Sequence, residues 1–192
     1  ALSKYEWTEY SQAKWYLRRM ATDFRLGIPS NIFTMADVKY RHTVNYKGLL
    51  HTNLNGEVVW ARPAYYAVSH MASLLTPQMK ADGELAYKTP SKKSLSVLAV
   101  SKDGRRVGVL VWQKGEIPSD SISQEKLDLT VSGLALKDPV WVEPVTGRIC
   151  ELEKWSVKGG SMNFKGLPVW DSPVFIMERA EVPSVSGESG NQ

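Results

Sequence analysis

The chain has 192 residues, 43% hydrophobic and 23% charged, with a formal net charge of +4 at pH 7. That length suits one large domain or two small ones with a sizeable core, and the composition is that of an ordinary globular protein. Two classes are excluded: no run approaches the roughly 18–20 apolar residues of a membrane span, and no basic cluster with interleaved aromatics points to nucleic acid.

The charge is uneven. Residues 1–74 carry nine Lys/Arg against five Asp/Glu, and the remainder carries fifteen of each. The one cysteine, Cys150, cannot form an internal disulfide; within the strand pattern Arg148-Ile-Cys-Glu-Leu152 it reads as a buried structural thiol. The opening Ala1-Leu-Ser-Lys-Tyr-Glu-Trp7 is not a signal peptide, which still allows an exported chain that has lost its signal.

Ser3-Lys-Tyr-Glu6 has the form of a capping box, and a helix is expected from there to about Leu26. Tyr10, Ala13, Leu17, Met20, Ala21 and Phe24 form its apolar stripe, with Lys14, Arg18, Arg19 and Arg25 on the other side. Gly27 and Ile28-Pro29 end it. Ser30 to Ala36 reads as a short buried strand, so helix, turn and strand make one αβ step. Asp37 to Tyr46 is polar and irregular, a loop at the carboxyl end of that strand, where α/β proteins keep their sites. Gly48-Leu-Leu50 and Asn53-Leu-Asn-Gly56 lead through turns into a second helix from Pro63, a residue suited to the first helical position. Tyr66, Val68, Met71, Ala72 and Leu75 give that helix a stripe, and Thr76-Pro77 stops it.

From Asp82 the period becomes two. Strands are expected over 84–88, 95–101, 106–113, 126–132, 139–143, 148–155, 161–164 and 173–179. Asp103-Gly104 between two apolar runs is a strong hairpin signal. Seven or eight short strands with regular turns describe an antiparallel sandwich. After Pro183, Ser, Gly and Glu dominate and a disordered tail is expected. One αβ step with one further helix cannot cover both faces of a parallel sheet. Residues 1–75 must therefore pack against the sandwich or finish a larger α/β domain.

The second option is met by a resemblance. Gln12-Ala-Lys-Trp-Tyr-Leu-Arg-Arg19, Gly27-Ile-Pro29 with its strand, Gly48-Leu-Leu50, Asn55-Gly56 and Arg62-Pro-Ala-Tyr-Tyr-Ala67, in that order, resemble the end of a (β/α)8 glycoside hydrolase of clan A. The sandwich, with Val142-Glu-Pro-Val-Thr-Gly147 and Leu167-Pro-Val-Trp-Asp-Ser-Pro173, is similar to the β-domain that follows the barrel in family 39. The resemblance implies an α+β, multidomain chain. Incomplete C-terminal (β/α)8-barrel elements would occupy residues 1–76, an antiparallel β-sandwich 77–182 and the tail 183–192. It also implies a retaining, secreted or periplasmic enzyme acting on a polysaccharide or oligosaccharide, with an acid/base and a nucleophile at the ends of strands four and seven. Both would lie upstream of Ala1, in an N-terminal barrel segment or companion chain. Glu6 and Glu9 fall instead on the helix after strand seven, where capping and solvation explain them.

The eighth strand and its loop would then touch carbohydrate, and the candidate substrate-binding residues are Phe33, Asp37, Tyr40 and His42. The family's usual Trp or Tyr platform is Phe33 here, readable as core or as platform. Asp37, Tyr40 and His42 could hydrogen-bond hydroxyls or simply be solvated. No cofactor is expected, and His42, His51 and His70 lack metal-ligand spacing. No Gly-x-Ser-x-Gly elbow is present. Trp112, Trp141, Trp155 and Trp170 lie in or beside sandwich strands, as core, interdomain packing or a sugar-binding face. Two other functions stay open: a stand-alone carbohydrate-binding sandwich, and a non-catalytic structural or partner-binding chain.

Overall fold

A computed structural model describes residues 7–115, 117–122 and 124–183. The Ser3–Glu6 capping box and the expected tail beyond Pro183 lie outside the described residues. Helix α1 (Glu9–Leu26) starts later than the sequence suggested. Thr8 is its cap: the Thr8 hydroxyl accepts from the Ser11 N–H and the Ser11 hydroxyl accepts from the Thr8 N–H, both at 3.0 Å. Ala13, Leu17, Met20 and Ala21 form its buried row, as the periodicity predicted.

Helix α2 (Pro63–Leu74) is rotated from expectation. Its buried row is Ala64, Ala67, Met71 and Leu74, whereas Tyr66 is 49% exposed. The sequence stripe had followed the large side chains. Packing instead chose the row of small ones, because alanines let α2 close onto α1 at the short interaxial distance that bulky residues forbid.

Between the helices the expected strand over 30–36 is irregular. Its backbone pairs only at its end, where Leu49 and Leu50 donate to the Thr34 and Met35 carbonyls and Ala36 bridges Leu50 in parallel. A parallel strand needs neighbours on both sides, and residues 49–50 supply one short edge. The loop expected over 37–46 contains a small ribbon, β1 (Val38–Lys39) with β2 (Val44–Asn45). A second ribbon pairs β3 (Leu50–Thr52) with β4 (Val58–Ala61), which sets His51 opposite Trp60.

The rest is a sandwich of two antiparallel sheets. Strands β5 (Met79–Glu84), β7 (Leu95–Lys102), β8 (Arg105–Gln113), β10 (Pro139–Glu143), β11 (Arg148–Glu151) and β14 (Val174–Glu178) form one, in the order β11-β10-β14-β8-β7-β5. Strands β6 (Tyr87–Lys88), β9 (Glu125–Ser132), β12 (Trp155–Lys158) and β13 (Ser161–Val169) form the other, in the order β12-β13-β9-β6. The strand expected over 148–155 is two strands on opposite sheets, the chain crossing between them at 152–154.

Both helices lie on the outer face of the six-stranded sheet, giving three layers and two cores. Leu98, Val100, Val140, Val142, Phe175 and Met177 face the helices, while Val97, Val109, Trp141, Val174 and Ile176 face the second sheet. Burial on both faces explains the unbroken apolar runs of β7, β8 and β14. By contrast β9 alternates, with Leu127, Leu129 and Val131 inside and Lys126 and Asp128 outside. The Asp103-Gly104 turn has positive φ at both residues, the mirror-image geometry that matches strand twist.

Lys14, expected on the solvated side of α1, is 1% exposed. Its ammonium donates to the Ser121 carbonyl at 2.6 Å, lies 2.8 Å from Asp171 and sits over the Tyr10 ring. These partners compensate the cost of taking the charge out of water, and they tie α1 to the sandwich connections. Lys14→Ala should therefore lower unfolding free energy by about 3–5 kcal/mol, because Asp171 is left buried without its cation. Denaturant melting measures this, and a loss under about 1 kcal/mol would show the pair to be idle.

Candidate functional site

The most ordered polar constellation lies where the two ribbons meet the N-termini of both helices. Arg62, the residue before α2, is 3% exposed and has a partner for every guanidinium nitrogen. Its Nη1 and Nη2 grip the two oxygens of Asp37 at 2.8 and 3.0 Å, Nη1 also donates to the Gly48 carbonyl at 2.7 Å, and Nε donates to Glu9 at 2.9 Å. The planar fork suits this two-toothed grip in a way an ammonium would not. Gly48 has no room for a side chain: a Cβ there would lie 2.3 Å from the Ala36 carbonyl carbon. That close approach lets its N–H donate to Asp37 at 3.0 Å.

His51 joins from β3, its Nδ1 2.7 Å from Asp37 Oδ2. The same Nδ1 lies 3.0 Å from Arg62 Nη2, so His51 touches both members of the Arg62–Asp37 pair. Trp60 packs against His51 with centroids 4.0 Å apart and the rings tilted by 34°, and donates from Nε1 to Glu9 at 3.3 Å. Burial would push the Asp37 carboxyl up. The Arg62 guanidinium, the Gly48 and Thr52 amides and His51 outweigh it and hold the carboxyl below its ordinary value of 3.8.

The four residues singled out in the sequence do not converge. Asp37 is fully buried at its carboxylate and engaged by Arg62, His51 and two amides, which makes it the anchor of the cluster. Tyr40 and His42 sit exposed at the turn joining β1 and β2, away from its centre. Phe33 is 66% exposed, which removes its reading as core. Its ring lines an open groove of about 860 Å³ along the outward face of α1, with Trp7, Trp15, Leu26, Ile28 and Ile117. Arg62, His51, Trp60 and Glu9 were not singled out. The Asn-Gly turn between His51 and Trp60 was the available signal, since hairpin register sets those two opposite each other.

Among the sandwich tryptophans, Trp112, Trp141 and Trp170 are buried and Trp155 is half-buried; Trp141 stacks with Trp170 inside the core. Cys150 is half-buried against the same core. Among the described residues no group of three His, Cys, Asp or Glu side chains could hold a metal ion, and no helix is long and apolar enough to cross a membrane.

Asp37 gives a signed pH prediction. A depressed folded pKa contributes stability above the unfolded value near 3.8, and that contribution disappears as pH falls through the lower folded value. Asp37→Asn should cost about 3–5 kcal/mol at neutral pH. The gap between variant and parent should then narrow steadily below about pH 4. A gap independent of pH would show that the carboxylate's charge contributes nothing.

No protein-family model matches the sequence, and no curated protein matches it. Among solved structures, the chain is similar to a family 39 glycoside hydrolase from Bacteroides cellulosilyticus WH2, with a TM-score of 0.56 and 18% identity. The match covers 89% of this chain and 31% of that one, so the chain spans about a third of the length of the enzyme it matches. At that identity the likeness establishes a shared fold: antiparallel sheets in a β-sandwich accompanied by two helices.

Proposed function

We propose that this chain is the C-terminal segment of a retaining glycoside hydrolase acting on a polysaccharide or oligosaccharide. In this reading α1, the segment over 30–37 and α2 are the last elements of a (β/α)8 barrel, and the sandwich braces them. The catalytic carboxylate pair belongs to a preceding barrel segment or companion chain, and the whole protein works outside the cytoplasm. The observation that carries this is the groove on α1. Beside a helix that already buries one face against α2 and the sheet, exposed Trp7, Leu26, Ile28 and Phe33 and half-buried Trp15 line an open groove. Exposed apolar area of that kind is ordinarily covered by another part of the same assembly. The fold likeness supports the same view, because the matched region is a minor part of a glycoside hydrolase.

In this reading the loop after the eighth strand borders the sugar site, with exposed Tyr40 and His42 able to meet hydroxyls and Asp37 positioning the loop, while Phe33 belongs to the covered groove. A free-standing carbohydrate-binding sandwich finds less support. Such a module needs tryptophans on an exposed sheet face, and three of the four here are inside the cores.

The first experiment is the intact mass of the source protein under denaturing conditions, followed by reducing-end release from polysaccharides. A further segment or companion of roughly 250 residues is expected, the size of a barrel, together with cleavage that retains anomeric configuration by NMR. A source protein of 21.5 kDa without a companion would overturn the enzyme reading.

A further inference from the structure

We infer that Trp60 and Glu9 form a binding subsite for a neutral pyranose, lying on the β3–β4 ribbon and separate from Phe33. The inference rests on the glycoside hydrolase reading for its biological setting, and on geometry for its chemistry. An exposed tryptophan is ordinarily held by little. Trp60 is 47% exposed and yet fixed from three directions. Its backbone is paired in register with His51, its ring is backed by the His51 imidazole at 4.0 Å, and its indole N–H is pinned by Glu9 at 3.3 Å. The backing ring is itself immobilised, since His51 Nδ1 is held by Asp37 and Asp37 by Arg62.

The result is a flat apolar plate, supported on one side by the tilted imidazole, with considerable area open. A carboxylate stands at its edge. Glu9 Oε1 takes both the Trp60 and Arg62 hydrogens, and Oε2 has no partner among the described residues. Its side chain is 43% exposed, so it is reachable.

That combination fits one ligand chemistry well. A pyranose in its chair form presents axial C–H bonds on one face, which pack on an aromatic plate, and a rim of equatorial hydroxyls, which donate to a carboxylate. The plate is rigid before the ligand arrives, so little ordering entropy opposes binding. The carboxylate also selects by charge: a uronic acid or sulfated sugar would be repelled by Glu9, while Arg62 is too buried and too fully engaged to attract it. A neutral sugar follows.

The test titrates the intact protein with neutral hexasaccharides of glucose, xylose, mannose and galactose, by calorimetry and tryptophan fluorescence, beside Trp60→Ala, Trp60→Tyr and Glu9→Gln. At least one hexasaccharide should bind. Trp60→Ala should weaken it about tenfold, Trp60→Tyr should keep affinity within about threefold because the plate survives, and Glu9→Gln should cost about tenfold. Thermal melts of each variant show that it is folded, and Glu9→Gln carries the comparison if Trp60→Ala is not. Failure of all four sugars to bind, or equal affinity in Trp60→Ala, overturns the subsite. Turnover is read separately in the same preparations. Trp60-dependent binding without glycoside cleavage keeps the subsite and removes the hydrolase reading. Cleavage with Kd and KM unchanged in Trp60→Ala does the reverse.

Discussion

A single guanidinium obliges three stretches of chain to agree on one geometry. Arg62 immediately precedes α2, grips Asp37 from the segment after residue 36, holds the Gly48 carbonyl ahead of β3, and reaches Glu9 in the first turn of α1. Burying such a charge is expensive, and the expense is offset only if nearly every donor is used. Here the demand is met, and the consequence is directional. The starts of both helices are tied to one point, the ribbons cannot slide against them, and the aromatic pair on β3 and β4 is set at a defined place.

The second buried cation does a similar task at another seam. Lys14 lies on the same helix as Glu9, but it points toward the sandwich connections and meets Asp171 and the Ser121 carbonyl. Helix α1 is therefore fixed electrostatically at Glu9 and Lys14, and by the buried row Ala13, Leu17, Met20 and Ala21. Rows of small side chains bring α1 and α2 together and let both settle on the outer face of the six-stranded sheet. That sheet is covered on both faces, by helices on one and by the four-stranded sheet on the other. Its inner strands consequently have no polar side to show.

The outward face of α1 has no such cover among the described residues. On that side Trp15 and Leu26 of α1 meet Trp7, Ile28 and Phe33 from the flanking segments to line the groove. The apolar groove and the polar Arg62 cluster lie on the same portion of the chain, ahead of the sandwich.

Much of the architecture could be read from residue order. Hairpin signals and two-residue alternation located most of the sandwich strands, since a strand's inward residues and its turn chemistry are local properties. The row Ala13, Leu17, Met20, Ala21 was visible for the same reason. Proximity between distant side chains was not. Nothing in the spacing of Glu9, Asp37, His51 and Arg62 announces that they touch, and Lys14 looked solvated because its partners lie more than a hundred residues away. The rotation of α2 was likewise decided by which row could approach α1, a fact about a neighbour and not about the helix. Sequence alone determined the alternation, the hairpin turns and where α1 stops and α2 starts, which depend on the backbone and on adjacent side chains. Only the tertiary structure decided which polar groups are buried together, because the energy of a buried charge depends on partners that the fold brings from far along the chain.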